Sequence, residues 1–171
     1  MTMSQTVGWA ALAFFPATMV FAALMDVTTM KIRNRLVVAI LLGYAVLAPL
    51  AGLALHEMGL SLLGAAGVFL VGFALFSRGW IGGGDAKLAA ASALWLGAAH
   101  IPAYLLYTAM IGGLLALAIL AFRRMNLPAN RRSPEWVQRL HSPQSGVPYG
   151  AAMAPAALVV FPHTPWLAGI L

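Results

Sequence analysis

Apolar runs long enough to cross a membrane recur along the chain, separated by short polar breaks. A helix crossing about 30 Å of hydrocarbon takes about 20 mostly apolar residues. Such runs lie near residues 7 to 25, 36 to 55, 60 to 77, 103 to 122 and 149 to 171. A sixth, "KLAAASALWLGAAHI" over 87 to 101, reaches only about 22 Å as a helix at about 1.5 Å per residue, so it spans thinly or is re-entrant. The pattern predicts an all-α, polytopic membrane bundle of about six transmembrane helices, as a single domain over residues 1–171.

The polar breaks decide the topology. Six spans alternating from an outside N-terminus leave both termini outside and make inside loops of roughly 26–35, 78–87 and 123–148. Lys31, Arg33 and Arg35 then fall in the first loop, Arg78 and Lys87 in the second, and Arg123, Arg124, Arg131, Arg132 and Arg139 in the third. Every basic residue is inside, as the positive-inside rule expects. Dropping the short sixth run would put the last five outside, so it is kept.

Composition supports this reading. The chain is 62% hydrophobic and 8% charged, against the roughly 25% charge of a soluble domain. Its net charge of +6 would suggest nucleic acid in a soluble protein, but the placement of the charges assigns it to topology instead. The absence of cysteine excludes disulfides, thiolate chemistry and Cys-ligated zinc. The first run has no basic segment before it and reads as a retained span.

The 123–148 loop carries prolines at 128, 134, 143 and 148, which forbid one long helix. Ser133, Pro134 and Glu135 read as a helix start, with Trp136, Val137 and Leu140 on one side. That turn reads either as an interfacial segment or as part of a solvated loop. The stretches "GAAGVFLVGFA" (64–74) and "IGGLLALA" (111–118) are rich in small residues that allow helices to approach closely in lipid.

The chemistry rests on four acids. Glu57 lies in an outside turn and Glu135 in the large loop, leaving Asp26 and Asp85 at membrane boundaries on the same side. A carboxylate near lipid is costly and usually marks a functional or water-lined position. Two that share a site repel, which raises one pKa and leaves one group protonated beside one ionised. Such a pair can hydrolyse an amide without a metal: the ionised member deprotonates water, and the protonated one polarises the carbonyl.

Asp85 follows Gly82, Gly83 and Gly84, whose lack of Cβ would let the backbone turn tightly and approach an extended peptide. Simpler readings stand beside this one. Asp85 also fits an N-cap on a helix beginning at Ala86, and Asp26 a polar stop beside Lys31 and Arg33. Lys87 fits a snorkelling anchor. His56, His100 and His163 fall outside and His141 inside, which gives no metal-binding cluster.

The stretch "GGGDAKLAAASALWLG" (82–97) resembles the Gly-x-Gly-Asp region of the bacterial type IV prepilin peptidases, particularly the short CpaA-like branch of Flp/Tad pilus systems. The stretch "DVTTMKIRNRLVVAILL" (26–42) looks like the family's first catalytic region, with Asp26 and Asn34 in place and Arg33 where the family usually has proline. "GVPYGAAMAPAAL" (146–158) is a weaker third match.

The resemblance implies an aspartic endopeptidase of the bacterial inner membrane. Asp26 and Asp85 are its implied catalytic pair, with Gly82, Gly83, Gly84, Lys31, Asn34 and Lys87 positioning backbone and substrate. The implied substrate is a prepilin whose basic leader is removed at the cytoplasmic face, just before an apolar helix. The implied partners are that prepilin, the lipid bilayer and pilus assembly machinery, with no nucleic acid, cofactor or metal. Longer relatives carry a cysteine-bearing region and also methylate the new N-terminus. This chain has neither, so cleavage without methylation is expected. Rival readings are a small proton- or cation-coupled transporter using Asp26 and Asp85, a structural subunit of a pilus machine, and an intramembrane protease of the presenilin type.

Overall fold

Eight α-helices organise the described residues, 3–125 and 134–168, of the computed structural model. Three are long and apolar enough to cross a membrane: α1 (Met3–Thr29), α3 (Leu55–Ser77) and α5 (Ile101–Arg124). Two are apolar but shorter, α2 (Asn34–Leu50) and α7 (Gly150–Val160), the latter continued by a 3-10 turn to His163. The others are α4 (Gly83–Leu96), α6 (Glu135–His141) and α8 (Pro165–Ala168). Among the described residues there is no strand, and the chain is a helical membrane protein.

The short sixth run becomes the centre of the bundle. Helix α4 spans 14 residues and ends at Gly97, whose φ of 83° and ψ of 154° lie outside any helical region. A 3-10 turn over Ala98–His100 then leads into α5. Residues Ala91–Leu96 are all buried, as are Asp85, Ala86 and Leu88. The alanine-rich sequence explains why: small side chains let α3 come against α4 along its length. A Cβ on Gly72 of α3 would stand 2.9 Å from the Ala86 Cβ, so only glycine allows this approach.

The last apolar run does not form the single span expected over 149 to 171. Helix α7 stops at Val160, and the chain then makes a 3-10 turn and an extended step at Thr164 before α8. Pro162 and Pro165 account for the break, since neither can donate to a preceding carbonyl. Residues 169–171 lie outside the described residues.

Away from the loops that carry charge, aromatic packing holds α1, α2, α4 and the C-terminal segment together. Trp95 stacks on Phe15 at 5.0 Å and on Trp166 at 4.8 Å, and Tyr44 meets both indoles edge-on. Pairs of this kind contribute about 0.5–1.5 kcal/mol each beyond burial. Both indole N–H groups are satisfied, Trp95 donating to Ile40 O at 2.9 Å and Trp166 to Trp95 O at 2.8 Å.

The opposite end of the bundle gathers the polar loops. Helix α1 ends where the Thr28 and Thr29 hydroxyls donate back to Leu24 O and Met25 O, and Met30 then takes a left-handed φ of 53°. Helix α3 ends at Arg78, whose guanidinium lies 6.0 Å from the Trp80 ring. Helix α6 starts after Pro134, as expected, and rests against α1 and α5. Ser133, Pro128, Arg131 and Arg132 lie outside the described residues. Arg139 of α6 reaches Thr28 O at 3.4 Å. Arg123, at the end of α5, donates to Leu140 O, Ser145 O and Gly146 O.

Candidate active site

Asp26 sits one helical turn before the end of α1, within the helix, and is 4% exposed. Its Oδ2 accepts the backbone N–H of Gly150 at 2.7 Å. Gly150 is the first residue of α7, so the contact uses one of the N–H groups that a helix start leaves unpaired. A Cβ on Gly150 would stand 2.9 Å from that same oxygen, so glycine is required for the close approach.

Asp85 occupies the third position of α4 and is 9% exposed. The helix begins three residues earlier than an Asp85 cap would require, with Gly82 as the residue before it. The Asp85 Oδ2 reaches back to accept the Gly82 N–H at 3.2 Å, the acidic half of a capping box. The N-cap reading of Asp85 is therefore corrected: a free backbone donor at Gly82 pulls the carboxylate into the first turn.

The three glycines serve close approach rather than unusual dihedrals. Gly82 has φ −73° and ψ 143°, and among the described glycines positive φ occurs only at Gly52, Gly79 and Gly97. A Cβ would come within 2.8 Å of Asp85 Oδ2 at Gly82, 3.1 Å of the Phe76 ring at Gly83 and 3.1 Å of the Ile32 Cβ at Gly84. Gly79, one of those with positive φ (72°), makes the turn out of α3 instead.

Both aspartates line one open pocket of about 860 Å³. Gly82, Gly83, Gly84, Lys31 and Asn34 line it too, so all but one of the anticipated site residues meet there. Lys87 is the exception. It stands at the rim, where its Nζ donates to Asn34 Oδ1 at 3.0 Å and ties α4 to α2. Arg33 also lines the pocket, with φ −73° and ψ 137°. That φ is one a proline ring imposes, so the arginine keeps the backbone that a proline would give.

Asp85 lies ahead of the apolar part of α4, outside the membrane-spanning helices. Burial first, and then the nearby Asp26 charge, push its pKa from the ordinary 3.8 up to about 6, against the lowering effect of the Gly82 N–H. Among the described residues neither aspartate is ion-paired, although Lys31, Arg33 and Arg35 line the same pocket. The arrangement thus holds one carboxyl able to keep a proton near neutral pH beside a second carboxyl within electrostatic reach.

Sequence reasoning did not find Gly150 as the donor to Asp26, nor Gly146 and Val147 as pocket wall. All three lie in or beside the "GVPYG" stretch, whose glycine just ahead of a small-residue helix was the available signal.

A family model described as the type IV leader peptidase family matches residues 13–117, a segment that carries Asp26, Asn34 and the Gly82–Asp85 loop. No curated protein and no solved structure matches the chain. With well over half of its length matched, and with the two aspartates of the matched segment facing one pocket, the chain belongs to the type IV leader peptidase family.

Proposed function

We propose that this peptidase is an aspartic endopeptidase acting through Asp26 and Asp85, within one peptidase domain over residues 1–171. Its substrate is a prepilin of the Flp type, cut between a basic leader and an apolar helix at the cytoplasmic face of the bacterial inner membrane. The new N-terminus is left unmethylated. The observation that carries this reading is the meeting of two buried carboxylates, from helices remote in sequence, in one open pocket.

The geometry suits amide hydrolysis. One carboxylate removes a proton from water, whose oxygen attacks the scissile carbonyl carbon. The protonated carboxyl donates to the carbonyl oxygen as the tetrahedral intermediate forms. Collapse breaks the C–N bond: the proton taken from water passes to the leaving amine, and a hydroxyl of the intermediate returns its proton to the other carboxylate as the new acid's carbonyl forms. Asp85 can carry the initial proton, because its pKa is raised to about 6.

The positive residues near the pocket support the cytoplasmic orientation. Lys31, Arg33 and Arg35 line it, Lys87 bonds Asn34 beside it, and Arg123 and Arg139 bond the neighbouring loops and helix ends. Basic residues of this kind stay on the cytoplasmic side of a membrane protein.

The test is co-expression with candidate prepilins, scored by leader removal, with Asp26→Asn and Asp85→Asn examined separately. Each variant is expected to abolish processing while still inserting in the membrane. Full processing by either one would end the two-carboxylate mechanism.

A further inference from the structure

A second depression, of about 470 Å³, opens beside the Asp85 loop and is almost wholly apolar. One wall is a single face of α3, formed by Gly64, Gly67, Val68, Val71, Gly72 and Leu75, spaced at the three- and four-residue intervals that align on a helix. The other wall is α5, through Tyr104, Leu105 and Thr108, and the floor is Ala86 and Ala89 of α4. From Gly64 to Leu75 the groove runs roughly 16 Å at about 1.5 Å per residue. Its walls include the exposed Val71 and Leu105, so it opens to the lipid side.

Two features indicate what fills it. The first is continuity with the reacting pair. Ile81 and Ala86 line the groove and immediately flank the Gly82–Asp85 loop, and Ala89 lies one turn from Asp85 on the same face of α4. The second is fit: an apolar helix satisfies its own backbone polar groups and can lie closely against the small residues Gly64, Gly67 and Ala89 that line the groove.

We infer that this groove between α3 and α5 docks the first turns of the substrate's apolar helix, the segment just after the cleaved bond. The inference rests on the peptidase reading. A substrate whose scissile amide reaches Asp85 has its helix tethered within a turn or two of that carboxylate, and the groove begins there. Gly67 leaves room for it: a Cβ at that position would meet nothing within 4 Å.

The chain has no cysteine, so Val71→Cys supplies a lone thiol in the groove and Leu42→Cys one on the exposed side of α2. Each is combined with Asp85→Asn and with prepilins carrying one cysteine at successive positions of the apolar helix, then oxidised in membranes. Val71→Cys should crosslink at positions three to four residues apart and at least about tenfold more than Leu42→Cys. In the active chain, Gly67→Leu should raise KM for full-length prepilin about tenfold while changing kcat less. Equal crosslinking from both positions, or none from Val71→Cys with KM unchanged in Gly67→Leu, overturns the groove. Crosslinking does not need cleavage, so the two readings fail separately. Crosslinks without any processing by the parent protein would sink the peptidase reading and keep the groove. Processing without crosslinks would do the reverse, and lipid would then be its occupant.

Discussion

The Asp26 carboxylate and the Gly150 backbone N–H meet at 2.7 Å across 124 positions of sequence. This bond brings the start of α7 onto the end of α1, and with it the Gly146–Val147 wall of the pocket. Asp26 is thereby oriented by a backbone group rather than by another side chain.

Gly150→Ala should therefore be among the most damaging single-methyl changes in the protein. The added Cβ would lie 2.9 Å from Asp26 Oδ2 and 3.0 Å from Asp26 Cβ, so the carboxylate must move. A displacement of about 1 Å in a reacting group costs about 100-fold in rate. Prepilin processing should fall by that order with insertion and expression retained. Unimpaired processing would remove Gly150 from the site.

The rim should be far more tolerant. Lys87 and Asn34 are joined by an exposed hydrogen bond at 3.0 Å, and such a bond contributes about 0.5–1.5 kcal/mol. Lys87→Ala is expected to lower kcat/KM by no more than about tenfold. A loss as deep as that of Asp85→Asn would give Lys87 a direct part in the chemistry.

The pH dependence of kcat/KM follows from the shared proton. With Asp85 raised to about 6, the singly protonated pair is depleted as pH rises past that value. The rate should then fall about tenfold per pH unit on the alkaline limb, with an apparent pKa that belongs to the pair. A profile flat from pH 5 to 9 in a reconstituted cleavage assay would contradict this assignment.

Stability should respond to the same group. The Asp85 carboxyl binds its proton more tightly in the folded protein than in the unfolded chain, so protons favour folding. This contribution is fully present below the ordinary value of 3.8 and is lost as pH rises through about 6. Asp85→Asn cannot ionise and keeps an acceptor for Gly82. It should unfold later than the parent at pH 8, by an amount on the order of 3 kcal/mol, and alike at pH 3.5. Thermal unfolding in detergent at the two pH values checks this, and a variant less stable at pH 8 would refute it.

Much of this protein is legible in its sequence. Apolar run length and the clustering of basic residues are local properties, and they gave the helical membrane class and put Asp26 and Asp85 at one end. The Gly82–Asp85 loop and the small-residue stretches announced tight contacts, met at Gly72 against Ala86 and at Gly84 against Ile32. Arg33 departs from the family's usual proline in identity but not in backbone, since its φ of −73° keeps the expected path.

What could not be read along the chain depends on which surfaces touch. The weak, short run proved to be the buried central helix, because its alanines matter only once Gly72 of α3 lies against them. The last run broke at prolines whose effect hydropathy does not register. Asp85 took the third position of its helix because a donor at Gly82 was in reach, and Asp26 found its partner in Gly150. Helix formation and membrane burial follow from neighbours a few residues apart, but the chemistry of a carboxylate is set by the donors, charges and solvent around it, which folding gathers from distant parts of the polypeptide.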